Sequence, residues 1–118
     1  MRRDDRIRLQ HMLDAAREAL SFAEGQRREN LDENRMLALS VVKCIEIVGE
    51  AASRISQETQ QEAPQVPWPD IISMRNRLIH AYFDIDLDRV WDTVKGDLPV
   101  LIAQLEDLLQ AEPHSPNG

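Results

Sequence analysis

The sequence predicts an all-α protein, a four- to five-helix up-and-down bundle. Three observations carry this. Apolar residues recur at the three- and four-residue spacings that line one face of a helix over most of the 118 residues. No run alternates with period two, so strands are not expected. The stretches between the periodic segments are short and polar or proline-rich, which suits neighbouring helices packed side by side.

Residues 3–24 read as the first helix. Ile7, Leu9, Met12, Leu13, Ala16, Ala19, Leu20 and Ala23 share a face, Asp4 and Asp5 complement the dipole in the first turn, and Gly25 is a stop signal. Residues 31–58 read as the longest helix, capped by Asp32 or Asn30. Its middle, from Met36 to Ala52, is apolar on most sides, which places it centrally or beneath a second subunit. Gly49, Ala51 and Ala52 would let another helix approach closely. A mid-helix glycine costs about 1 kcal/mol relative to alanine, so Gly49 calls for a packing reason.

Residues 59–69 read as a linker, because Pro64, Pro67 and Pro69 bar helix continuation. A helix over about 69–81 follows, with Ile71, Ile72, Met74, Leu78 and Ile79 as core candidates. Asp86 is placed to cap the last helical region, 87–111. Gly96-Asp97-Leu98-Pro99 interrupts that region: either the helix kinks there, or it ends and a fifth begins with Pro99 in its first turn. The expected organisation is one domain over 1–112 and a flexible tail over 113–118.

Composition narrows the function classes. A net charge of -7 argues against coating nucleic acid by bulk charge, so any contact with it would run locally through a few arginines. No apolar run approaches the roughly 20 residues needed to cross a bilayer, and the first residues do not read as a signal peptide. The single cysteine, Cys44, excludes an internal disulfide, fits a reducing cytoplasm and reads as a core thiol. No histidine, cysteine or carboxylate set has zinc-like spacing, so neither a metal nor a cofactor is expected.

Chemistry concentrates in Met74-Arg75-Asn76-Arg77-Leu78-Ile79-His80-Ala81-Tyr82, which holds one of three histidines and the only tyrosine. On a helix Asn76 and His80 share a face, whereas Arg75 lies about 140° round from His80. Either the arginine stem swings toward the histidine at the helix end, or two copies of the helix pool their groups across a dimer. A histidine that titrates near neutrality can move protons at a ribose 2′-hydroxyl or a leaving oxygen. A guanidinium beside it can hold the phosphate. Elsewhere, His11 reads as a solvent or interface-edge residue, and His114 carries no role. Glu46 and Glu50 share a face that either meets solvent or approaches these arginines. Lys43 and Arg54 read as solvated charge, with extension of an RNA-binding strip as the second reading.

Arg75-x4-His80-x-Tyr82 resembles the signature of HEPN domains of the HepT type, the ribonuclease toxins of HepT/MntA toxin–antitoxin pairs. Val48-Gly49-Glu50-Ala51-Ala52-Ser53, Pro67-Trp68, Val90-Trp91 and the string from Met74 to Asp86 are similar to that family as well. The resemblance implies a HEPN-like bundle that dimerises and joins the motifs of two subunits in one cleft. It implies metal-independent endoribonuclease activity on RNA, with Arg75 and His80 catalytic and Asn76 and Arg77 in support. It further implies a type VII-like toxin–antitoxin system, in which a minimal nucleotidyltransferase antitoxin of the MntA kind adds AMP to Tyr82. The added bulk and charge would repel RNA. The alternative is a non-catalytic helical module that docks a nucleotidyltransferase partner. A third role, substrate recognition for nucleotidyl transfer to a small molecule, is compatible with the bundle but has no specific support.

Overall fold

The predicted apolar faces become helices in the computed structural model, which describes residues 1–81 and 84–111, the side chains of His80 and Ala81 excepted. Helix α1 spans Arg3–Ala23 and buries Leu9, Met12, Leu13, Ala16 and Ala19. It stops where Gly25 adopts φ +74, a left-handed geometry that glycine reaches without strain. Ile7 departs from expectation and is 45% exposed. Asp5, two residues earlier, takes the inward position instead and is only 2% exposed.

The helix expected over 31–58 is broken. Helix α2 covers Arg28–Glu33 and helix α3 covers Arg35–Ser53. Between them Asn34 is extended, and its side chain accepts a hydrogen bond from the Leu37 amide at 3.1 Å. Asn34 therefore caps α3, rather than Asp32 or Asn30. The Asn30 side chain accepts instead from the Arg27 amide at 2.7 Å, at the start of α2. With 21 residues against 19, α1 is longer than α3.

Helix α3 packs against α1 on one side and α5 (Trp68–Leu78) on the other. A Cβ at Gly49 would meet the Ile71 carbonyl at 3.2 Å and that of Ile72 at 3.5 Å. The glycine is the packing device that brings α5 against α3. Ile72, expected in the core, is 37% exposed because its backbone rather than its side chain faces α3.

Across the end of the expected long helix and the start of the expected linker a short helix, α4 (Gln57–Glu62), forms and buries only Thr59. The Asp5 carboxylate accepts from the Ser56 amide at 3.0 Å, the Ser56 hydroxyl at 2.5 Å and the Thr59 hydroxyl at 2.7 Å. Burial alone would raise its pKa. The hydrogen bonds from Ser56 and Thr59 outweigh that and hold it below the ordinary carboxylate value. This cluster ties α4 to the start of α1.

Helix α5 ends at Leu78 rather than at 81. Strands β1 (Ile79–Ala81) and β2 (Asp84–Ile85) pair antiparallel, Ile79 opposite Ile85 and Ala81 opposite Asp84. The Asp86 amide donates to the Leu78 carbonyl at 2.7 Å. The expectation of no strands is thus corrected for this short ribbon. Ile79 at the helix exit is β-branched, which favours extended backbone.

Asp86 caps α6 (Leu87–Asp92) by accepting from the Arg89 amide at 3.1 Å, as expected. The interruption that follows is a π-helical turn, Thr93–Asp97, leading into α7 (Leu98–Ala111). The Leu98 amide reaches back five residues to the Thr93 carbonyl. Pro99 lacks an amide hydrogen and its ring would crowd a carbonyl four residues back, so a wider turn is a physical solution. Pro99 sits in the first turn of α7, but the helical path continues through the π turn rather than ending. Leu98, Leu101 and Leu105 on α7 close the core with Leu9, Met12, Ile45 and Met74. The tail expected over 113–118 lies outside the described residues.

Candidate functional site

The seam between α3 and α5 carries the motif arginine. Arg75 Nε donates to Glu46 Oε2 at 2.9 Å, with the two side chains 52% and 31% exposed. Among the described residues, Nη1 and Nη2 of Arg75 make no hydrogen bond. The guanidinium is thereby held by its inner nitrogen and offers its outer two to solvent, the geometry that suits a phosphate. Of the two glutamates expected on this face, Glu46 approaches Arg75, while Glu50 pairs with Arg54 at 3.1 Å. Asn76 follows Arg75 and is exposed.

The motif does not hold together as one helical face. With α5 ending at Leu78, His80 lies in β1, so the expected sharing of a helical face by Asn76 and His80 is overturned. The side chain of His80 and the whole of Tyr82 lie outside the described residues. Arg77 also diverges. Two residues along a helix turn about 200°, which carries Arg77 away from Arg75. Its Nη2 donates to the Asp70 carbonyl at 2.9 Å. It lines a separate groove of about 770 Å³, between α5 and the α6–α7 region, with Arg89, Asp92 and Val100.

On the other side of α3, Arg8, His11, Lys43 and Glu46 line a groove of about 510 Å³ between α1 and α3. Helices α1, α3 and α5 also expose apolar side chains: Ile7 and Phe22 on α1, Met36, Leu39 and Ile47 on α3, and Ile72 on α5. Arg8 carried no signal in the sequence as read. Its spacing of three from His11 puts both on one helical face, and that was the available clue. Among the described residues, no three His, Cys, Asp or Glu side chains converge closely enough to hold a metal ion.

The chain matches the family model described as ribonuclease HepT-like over residues 12–108. It belongs to the HepT-like ribonuclease family. Among its relatives is a protein of Thermococcus cleftensis named "Probable ribonuclease HepT", 36% identical over 95 residues, covering 77% of this chain and 86% of the relative. The candidate RNase MJ1380 of Methanocaldococcus jannaschii is 32% identical over 105 residues, covering 89% of this chain and 96% of the relative. A second candidate RNase of that organism, MJ1216, is 28% identical over 109 residues, covering 92% and 90%. No solved structure gives a significant match.

As a HepT-like chain it is all-α apart from the short ribbon, and it is a ribonuclease. No helix among the described residues is long and apolar enough to cross a membrane. Cys44 is buried and donates its S–H toward Glu18 Oε1 at 3.5 Å. Burial first, and then the neighbouring glutamate, push its thiol up to about 12. A thiol so shifted is a poor nucleophile at neutral pH, so Cys44 belongs to the packing and not to the chemistry.

Proposed function

We propose that this HepT-like chain is a metal-independent endoribonuclease that uses Arg75 and His80 together. The observation that carries the reading is the Glu46–Arg75 pair, which fixes the guanidinium on an exposed seam with its outer nitrogens turned to solvent. In this reading Arg75 grips the scissile phosphate and offsets the charge that develops on it. His80 takes the proton from the ribose 2′-hydroxyl, the 2′-oxygen bonds to the adjacent phosphorus, and the bond to the 5′-oxygen breaks. The 5′-oxygen leaves with a proton supplied by an acid, the imidazolium of a second copy's His80 or water. The products are a 2′,3′-cyclic phosphate and a 5′-hydroxyl. Asn76 supplies a polar contact beside Arg75. Arg77 faces another groove, so its contribution to RNA binding is the least supported of the set.

Self-association belongs to the same proposal. Phe22 on α1 and Met36 and Leu39 on α3 are left exposed, and a homodimer that covers them would bring two motifs into one cleft. The toxin role, neutralised by a minimal nucleotidyltransferase that adds AMP to Tyr82, rests on the motif string alone. Its logic is steric and electrostatic exclusion of RNA.

Induced expression of the chain alone, beside His80→Ala and Arg75→Ala, tests the reading. Growth arrest and new RNA ends with the unaltered chain, absent in both folded variants, is the expected result. Equal growth and intact RNA in all three would leave a helical module that docks a nucleotidyltransferase.

A further inference from the structure

We propose that the groove between α1 and α3 is a track for single-stranded RNA, in which Arg8, His11 and Lys43 hold the backbone of the strand being cut at Arg75. The inference rests on the nuclease reading of Arg75, and it adds binding residues outside the motif.

Continuity is the first argument. Glu46 lines the groove and is also the residue that holds Arg75, so a strand leaving the arginine on that side enters the groove directly. Charge is the second. The chain carries -7 overall, yet the carboxylates of Glu46 and Glu50 in this groove are occupied by Arg75 and Arg54. Lys43 and His11 have no carboxylate partner among the described residues, and Arg8 donates only to the Arg54 carbonyl, at 3.4 Å. The lining cations Arg8, Lys43 and Arg54 equal the carboxylates Asp4, Glu46 and Glu50 in number, and Arg75 beside the groove adds one positive charge. On a protein of net charge -7, a polyanion therefore meets a strip that does not repel it and whose side chains without a carboxylate partner among the described residues include the cations Arg8 and Lys43. Reach is the third. From Lys43 to Arg54 the helix rises about 16 Å, enough for several phosphates of an extended strand.

Among the described residues the groove holds no phenylalanine, tyrosine or tryptophan on which a base could stack. Contact is to phosphate and sugar, so the track positions RNA without reading its sequence.

The test measures binding of a labelled mixed-sequence oligoribonucleotide by anisotropy, in a His80→Ala background that prevents cutting, over a range of salt. Cleavage with His80 intact is followed in parallel. Lys43→Gln combined with Arg8→Gln should weaken binding about tenfold, the scale of one charge-assisted contact, and flatten the salt slope by roughly 0.7 per lost phosphate contact. With His80 intact, KM should rise while kcat holds. Lys43→Arg should retain binding, and the same neutralisation at Lys95, over the Trp91 ring, should leave it unchanged. Unaltered affinity and salt slope in the double variant would overturn the track, even if the parent chain cuts RNA. A double variant that elutes as a smaller species would also overturn it, by making the groove a surface between copies. Lys43-dependent binding without any cleavage would support the track and sink the nuclease reading.

Discussion

At the scale of single residues, Glu46 and Arg75 define what the seam can do. The glutamate lies on α3 and the arginine on α5, and their hydrogen bond of 2.9 Å fixes a side chain that otherwise samples many rotamers. In the proposed mechanism Glu46 is a positioning residue for Arg75. Glu46→Gln should lower kcat about tenfold to a hundredfold with little change in KM, because the loss is one of orientation and not of substrate contacts. A kcat unchanged in steady-state cleavage would show that Arg75 does not need the pair. Cys44 supplies the opposite case. With its thiol pushed up to about 12, it should resist iodoacetamide at pH 8 in the folded protein and react once denatured. The arginine–glutamate pair was legible as a possibility, since Glu46 was placed on a helical face that either met solvent or approached the arginines. Arg77, expected in support of the site, instead turns toward Asp70 and another groove, as helical pitch requires. The role of Asp5 was not legible, because its partners are about fifty positions away, Ser56 in what read as the end of the long helix and Thr59 in what read as linker.

At the scale of elements, two joints hold the site. Gly49 lets α5 lie on α3, and its absent side chain faces the Ile71 carbonyl. Gly49→Val should destabilise by about 1–3 kcal/mol, as overpacking against a backbone that cannot swing aside, and should loosen the Glu46–Arg75 pairing with it. Thermal unfolding and cleavage would be read on the same sample. The second joint is the Asp5 cluster. Its folded pKa lies below the ordinary value of 3.8, so its stabilisation is complete above that value and is lost as pH falls through the lowered one. Asp5→Ala should cost about 3 kcal/mol near neutrality, by stranding two hydroxyls and an amide, and should flatten the acid limb of stability against pH. The major helices and the Asp86 cap were legible because each buries a long periodic face or places a carboxylate before one. Helices α2 and α4 were not, being six residues each with one buried side chain apiece. The end of α5 was hidden too. No glycine or proline marks Leu78, and the ribbon that replaces the last turn depends on residues beyond it.

At the scale of the whole molecule, the architecture sets α3 between α1 and α5 and leaves apolar side chains exposed on all three. A homodimer through Phe22, Met36 and Leu39 predicts that Leu39→Glu shifts the chain to a monomer by light scattering and lowers cleavage at least tenfold, since one monomer holds one motif. A monomeric variant that cuts as fast as the parent would detach the chemistry from assembly. On the proposed reading the acidic total charge is compatible with a nuclease, because RNA is met locally, through Arg75 and the cations of the neighbouring groove. The measurement that bears most directly on the central claim is cleavage of RNA by the purified chain in chelator, with Arg75→Ala and His80→Ala as folded controls. The account predicts fragments ending in 2′,3′-cyclic phosphate and 5′-hydroxyl from the unaltered chain and none from either variant. Equal cleavage by all three would contradict it.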